Sequence, residues 1–259
     1  EELNITHKLL SMLQNFESIV LIWLGIGFIT FITLLKIPAP YGKFSKTNWG
    51  PMIPSKLGWI VMEIISPLAL LYFFLNGNIE KTPTNITFIS LWTLHYFNRS
   101  VIYPLRQNNP AQMPLLIAVL AFLFNVMNGY INGTYFGSIQ EYSAEYMSNW
   151  NFIVGVCLFI IGAYINIKSD NILLSLRSKS GEYKIPEGFM FRYVSFPNYF
   201  GEILEWMAFA IMTWSLAGLS FMIWTMANLV PRAIKGHQWY HSKFESYPKN
   251  RKAIFPFII

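Results

Sequence analysis

The sequence predicts an all-α integral membrane protein of seven transmembrane helices, with the N-terminus outside and the C-terminus cytoplasmic. Three observations carry that prediction. Hydrophobic residues make up 54% of the chain and charged residues only 12%, where an ordinary soluble domain carries about a quarter charged. Apolar stretches of about 20 residues, the length a helix needs to cross ~30 Å of hydrocarbon, recur along the chain. Between them the basic residues alternate from one side to the other.

The stretches fall at 18–36, 57–76, 86–105, 114–134, 150–168, 200–216 and 217–232. The last two meet at Leu216-Ala217-Gly218, which implies a tight helical hairpin. Sixteen of the 19 Lys and Arg residues lie between spans one and two, three and four, five and six, or after span seven. Lys8 and Lys81 fall on the opposite side, and Arg99 lies inside span three. The positive-inside rule converts that bias into the stated orientation, so the net charge of +6 reads as topology and no nucleic-acid partner is expected. Membrane lipids are the expected surroundings, and an aromatic content of 17% with 22 Phe suits lipid-facing and interfacial positions. The whole of 1–259 reads as one domain. Residues 1–17 are a short outer segment without signal-peptide features, and 233–259 form a cytoplasmic tail. Cys157, the single cysteine, excludes an intrachain disulfide framework and reads as a small buried hydrophobe. Asn4, Asn85 and Asn132 begin Asn-x-Thr sequons on the outer side.

Polar side chains within these stretches are costly and need partners, which makes them candidates for function. The segment 189–210 holds Arg192, Asn198, Glu202 and Glu205 among aromatic and aliphatic residues, with the two glutamates three apart on a helix. Glu63 lies in span two. Tyr96, Arg99 and Tyr103 follow an i, i+3, i+7 stripe in span three, giving that helix a polar face and implying an interior cavity. Asn166, Asp170 and Arg177 continue one face at the end of span five. Simpler readings stand beside these: a Glu63–Arg99 pair that only holds two helices together, and an Asp170–Arg177 pair at a solvated helix end. The tail from Pro231 mixes basic and aromatic residues suited to anionic headgroups or a phosphate-bearing cofactor. Gly25-Ile26-Gly27 lacks the third glycine, strand and acidic follower of a dinucleotide fingerprint, and there is no P-loop, HExxH or nucleophile elbow. The four histidines, His7, His95, His237 and His241, are not spaced as a metal cluster, so no metal is expected.

Five segments together resemble the steroid 5-alpha-reductase family: Ala39-Pro-Tyr-Gly-Lys-Phe-Ser45, His95-Tyr-Phe-Asn-Arg-Ser100, Ile165-Asn-Ile-Lys-Ser-Asp170, Tyr193-Val-Ser-Phe-Pro-Asn-Tyr-Phe-Gly-Glu-Ile-Leu-Glu-Trp206 and Lys243-Phe-Glu-Ser-Tyr-Pro-Lys-Asn-Arg-Lys-Ala-Ile254. Their order covers nearly all of residues 38–259. The resemblance implies a seven-helix membrane enzyme, in a bacterial inner membrane or the endoplasmic reticulum, that reduces the Δ4 double bond of a 3-oxo steroid with NADPH. It assigns Glu63 and Tyr96 to the substrate's 3-keto oxygen. Tyr41, Arg99, Tyr103, Asn166, Asp170, Arg177, Lys184, Asn198, Glu202, Arg232, His237 and Tyr240 fall at cofactor-pocket positions. Lys184 stands where the family carries arginine, keeping the charge without the planar fork. The run before Tyr240 reads Lys235-Gly-His237, which leaves open whether His237 takes the family histidine's place.

The chemistry suits those residue types. Hydride addition to the β-carbon of an enone drives negative charge onto the carbonyl oxygen, where a placed donor is the strongest available device. Tyr96 can donate its phenolic proton and a protonated Glu63 a second. Arg177, Lys184, Arg192 and Arg232 can meet phosphates, and Asn198 and Glu202 a carboxamide or ribose hydroxyls. The steroid or related lipid is expected to enter from the bilayer between spans one and four, and the protein to work as a monomer with its cofactor site on the cytoplasmic side. The competing expectations are reduction of another lipid enone, enoyl-CoA or polyprenol-type substrate, and methyl transfer of the isoprenylcysteine type.

Overall fold

Among the described residues four helices are long and apolar enough to cross a membrane: Leu13–Lys36, Ser55–Leu75, Leu115–Ile139 and Trp150–Leu176. The computed structural model describes residues 2–107, 111–176 and 183–259, with side chains from residue 13 onward. Eight helices follow in order: α1 (Glu2–Lys36), α2 (Ser55–Leu75), α3 (Pro83–Phe97), α4 (Tyr103–Leu105), α5 (Leu115–Thr134), α6 (Trp150–Leu176), α7 (Pro197–Thr213) and α8 (Leu216–Lys243). A wide π turn at Asn98–Ile102 joins α3 to α4, so 83–105 is one continuous helical stretch. Seven long stretches thus occur near the expected places. Three boundaries move outward: α1 already begins at Glu2, α6 runs past 168 to Leu176, and α8 continues past 232 to Lys243.

Local chemistry sets several of these ends. Thr82 accepts from the Asn85 amide with Pro83 in the first turn of α3, and Ser215 caps α8 by accepting from the Gly218 amide at 2.9 Å, each satisfying an otherwise orphaned donor. Between α7 and α8 the chain turns at Trp214, whose φ of 47° lies in the left-handed region. Trp214 and Trp150 meet edge to face at 6.0 Å, and both are exposed.

The chain is mostly helical, as expected, and one short two-stranded ribbon adds to the helices among the described residues. Strands β1 (Met52–Pro54) and β2 (Gln112–Pro114) pair antiparallel, with Ile53 opposite Met113. Each ends on a proline, Pro54 and Pro114, which pushes the residue before it toward extended backbone. A parallel bridge between Val194 and Lys252 ties the C-terminal tail to the loop before α7.

α6 and α7 pack most extensively, followed by α2 and α5. Their crossings are built on glycine. A Cβ on Gly201 would sit 2.5 Å from the Asn166 nitrogen, the close approach that small residues permit between membrane helices. Around the middle, Trp92, Trp206 and Phe221 pack with ring centroids 4.4–4.8 Å apart. Cys157 is exposed, contrary to the buried position expected of it. Asn85 and Asn132 are buried and donate to the Phe136 and Asn128 carbonyls, so neither sequon amide is open to a sugar.

Candidate active site

Charged and polar side chains from five parts of the chain surround a cavity of about 250 Å³. It is bounded by the loop after α1, by α2, by the π turn and α4, and by the facing ends of α6, α7 and α8. Glu63, Tyr41, Arg99, Tyr103, Asp170, Lys184, Asn198, Glu202, Arg232 and Tyr240 line it. Tyr96, Asn166 and His237 stand outside the lining, and Arg177 lies outside the described residues.

The α6–α7 crossing fixes one wall. Asp170 accepts from Arg99 at 3.1 Å and, through its other oxygen, from the Asn198 side chain at 3.0 Å. Asn166 donates to the Asn198 carbonyl at 3.0 Å and to Glu202 at 3.5 Å. Arg99 therefore pairs with Asp170 and not with Glu63, which removes the reading of Glu63–Arg99 as simple glue. Glu202 lines the cavity, whereas Glu205 turns away to His95, 2.8 Å from its Nδ1 and almost wholly buried.

The π turn breaks the expected stripe on span three. An extra residue per turn changes which side chains share a face, so Arg99 and Tyr103 line the cavity while Tyr96 does not. Tyr96 is buried against α5, its hydroxyl donating to Asn125 Oδ1 at 3.3 Å.

The opposite wall comes from α8 and the loop after α1. Arg232 Nε donates to the Tyr199 hydroxyl at 2.9 Å, Nη2 donates to the Tyr41 carbonyl at 3.4 Å, and the guanidinium lies 3.5 Å from the Tyr41 ring centroid. Burial pushes the Tyr41 phenol up to about 12, against the pull of Arg232, so it stays a neutral donor. Lys43 sits in a cage of aromatic rings, its ammonium 4.3, 4.6 and 4.7 Å from the centroids of Tyr240, Phe196 and Trp239. Burial and then the Arg232 charge pull this lysine down to about 7. His237 is held by Ser195, 2.6 Å from its Nδ1, and Ser195 also accepts from the Tyr247 hydroxyl. Burial, His241 and Lys252 lower its proton affinity, which leaves it neutral at pH 7.

Lys43, Trp59 and Tyr199 line the cavity without having been singled out from the sequence. Lys43 had counted only as a topology marker, although its place in Tyr41-Gly-Lys43 was a usable signal: Gly42 has φ +62° and turns the chain between the two side chains. Arg192, expected among the phosphate cations, is exposed and stacks over Tyr193 at 6.0 Å, outside the lining.

Comparisons with known proteins identify the family. The family model for 3-oxo-5-alpha-steroid 4-dehydrogenase matches residues 111–259. The steroid 5-alpha-reductase DET2 of Solanum lycopersicum is 43% identical over 248 residues, covering 94% of this chain and 96% of the relative. The chain belongs to the steroid 5-alpha-reductase family. The DET2 of Gossypium hirsutum is also 43% identical, over 88% of this chain and 92% of its own. The 3-oxo-5-alpha-steroid 4-dehydrogenase 1 of Rattus norvegicus is 37% identical over 97% and 96%. As a 5-alpha-reductase family member the chain is an oxidoreductase acting on a CH–CH bond. Among the described residues no group of three His, Cys, Asp or Glu could hold a metal ion.

The family implies a reduced dinucleotide, and two buried atoms bear on whether these residues fit one. Arg232 Nη1 and Asn198 Oδ1 have no hydrogen-bond partner among the described residues. Such groups are rarely left unmatched. A donor on a cation and an amide acceptor, on the wall of one cavity, fit a phosphate-bearing dinucleotide with a carboxamide end.

Proposed function

We propose that the chain reduces the Δ4 double bond of 3-oxo-Δ4 steroids to 5α-reduced 3-oxo steroids with NADPH. The observation that carries this reading is a single cavity that combines four cations, Lys43, Arg99, Lys184 and Arg232, with Glu63 on its wall. NADPH, when bound, supplies the hydride to the β-carbon, C5 of the steroid. The residues of the chain then meet the charge that reaches the carbonyl oxygen. Tyr96 donates its phenolic proton to that oxygen and Glu63, protonated, donates a second. Lys43, Lys184 and Arg232 hold the phosphates, while Asn198 and Glu202 orient the carboxamide or ribose hydroxyls. Arg99 is committed to Asp170 and fixes the wall on which Asn198 stands. Water or Tyr96 delivers the proton to the α-carbon.

In this reading the chain crosses seven times, α3–α4, α7 and α8 joining the four apolar helices, and the cavity and the C-terminal tail face the cytoplasm, as the bias of the basic residues supports. The protein works as a monomer, and the steroid enters from the bilayer between α1 and α5. Exposed apolar side chains on both helices, Ile29 and Ile32 on one and Leu116, Val119 and Leu120 on the other, support that route. In a Cys157→Ser background, Lys235→Cys is expected to react with an impermeant maleimide only from the cytoplasmic side. Labelling from outside sinks the orientation.

The direct test incubates purified protein with NADPH and a Δ4-3-oxo steroid, following NADPH absorbance and product mass. A gain of two hydrogens is expected, and no turnover across several such steroids refutes the proposal.

Lys43 gives the reaction a pH signature. A lysine that titrates near 7 in the empty site regains its proton beside a phosphate, so binding takes up a proton. The phosphate monoester of the cofactor is fully charged by pH 7, and above that pH only the lysine loses charge. NADPH affinity is therefore expected to be full below pH 7 and to fall about ten-fold from pH 7 to 8.5, measured by titration calorimetry. In Lys43→Arg the decline should vanish. An unchanged slope in that variant assigns the titration elsewhere.

A further inference from the structure

α5 carries three asparagines on one face, Asn125, Asn128 and Asn132, all buried in an otherwise apolar helix. Two of them spend their NH2 ends within their own helix. Asn128 and Asn132 each donate to the carbonyl four residues earlier, Phe124 at 2.8 Å and Asn128 at 3.1 Å, the ordinary behaviour of a polar side chain inside a membrane helix.

Asn125 does neither. Its Nδ2 crosses to α2 and donates to the Met62 carbonyl at 2.6 Å, one residue before Glu63. Its Oδ1 accepts from the Tyr96 hydroxyl at 3.3 Å. The assignment of the amide is fixed by chemistry, because a backbone carbonyl only accepts and must face the NH2 end. Oδ1 then points at the phenol and can only accept from it. On the other side Ser66 accepts from the Trp92 indole at 3.1 Å. One directional chain results, from Tyr96 through Asn125 to the Met62 carbonyl. Asn125 is the member that touches both helices bearing the two substrate-facing residues.

The geometry points to Asn125 as a positioning residue for the reduction: it holds the Tyr96 hydroxyl in one orientation and yields that bond to the substrate's carbonyl oxygen. This inference rests on the proposed steroid-enone reading. A neutral amide oxygen accepts at least as well as a neutral ketone, and is a far weaker acceptor than an oxyanion. The phenolic proton therefore moves from Asn125 to the substrate oxygen as charge develops there. The contact then strengthens in the transition state rather than in the ground state, which is what raises kcat.

The test is a double-mutant cycle of Asn125→Leu and Tyr96→Phe, read as steady-state kcat and KM with NADPH and a Δ4-3-oxo steroid, with NADPH binding measured as a check on folding. Asn125→Leu is expected to lower kcat about 5- to 10-fold with NADPH affinity unchanged. In the Tyr96→Phe background the same change should lower kcat less than about two-fold, because the group it positions is gone. An equal loss in both backgrounds overturns the inference and leaves the enone reading standing. A wild-type protein inactive on every Δ4-3-oxo steroid overturns both, whereas a fully active Tyr96→Phe overturns the inference and leaves the enone reading standing. Should Asn125→Leu fail to bind NADPH, Asn125→Asp carries the test. As a protonated acid it keeps both bonds, and as a carboxylate it loses the one to Met62. Its kcat should match the wild type at low pH and fall as the carboxyl ionises, and a kcat that follows the wild-type pH profile throughout overturns the assignment.

Discussion

A Tyr96→Phe variant is expected to lose about two to three orders of magnitude in kcat while binding NADPH within about two-fold of the wild type. The separation follows from the placement of the phenol. Tyr96 is outside the lining of the cation-bearing cavity, and its hydroxyl faces α5, so its removal leaves Lys43, Lys184 and Arg232 undisturbed. Phenylalanine retains the ring that packs with Trp92 and Trp206, so the fold is not at stake. Stopped-flow transients at saturating NADPH measure the chemical step, and calorimetry measures the binding. A variant with wild-type kcat removes the phenol from the mechanism.

Gly201→Val is expected to destabilise the protein by about 3 kcal/mol and to weaken NADPH binding at least ten-fold. The new Cβ would fall 2.5 Å from the Asn166 nitrogen and 2.7 Å from the Gly162 carbonyl oxygen. These are main-chain atoms of α6, which cannot rotate aside, so α6 and α7 must separate. Separation breaks the Asn166–Asn198 and Asn198–Asp170 bonds together and with them the wall that Arg99 braces. Gly25→Ala is the control: nothing lies within 4 Å of its Cβ, and neither property should move. Thermal unfolding in detergent, with and without NADPH, reads both effects. A Gly201→Val protein that melts with the wild type shows that the crossing can relax.

Helix positions were legible from hydropathy because each apolar stretch must satisfy its own backbone. Intramembrane charges were legible for the same reason, and Glu63, Arg99, Glu202 and Glu205 each stood out against apolar neighbours. Their partners were not. Arg99 finds Asp170, 71 residues away, and His95 finds Glu205, 110 residues away, through helix pairings that no local period encodes. The i, i+3, i+7 stripe on span three assumed an unbroken α-helix, and the π turn at 98–102 separates Tyr96 from Arg99 and Tyr103. Lys43 looked like one more basic residue in an inner loop because its cage comes from Phe196, Trp239 and Tyr240. The asparagines of α5 passed unnoticed because an uncharged amide barely disturbs a hydropathy window. Only the sequon at Asn132 drew attention, and burial shows that residue to be packing.

The exposed Trp150–Trp214 contact at the end of the bundle remote from the cavity has a counterpart on the same helix. Eighteen residues along α6 from Trp150, Lys168 reaches back to the Tyr164 hydroxyl at 2.9 Å and lies 4.5 Å from the Phe189 ring centroid. Indole rings and a snorkelling lysine are the groups that settle at the two faces of a bilayer. At 1.5 Å per residue they stand about 27 Å apart, close to the ~30 Å thickness of a bilayer's hydrocarbon. Acyl-chain length thus becomes a variable for this enzyme. Reconstitution into short- and long-chain phosphatidylcholine would tilt α6 by different amounts and, through Asn166 and Asp170, move one wall of its site.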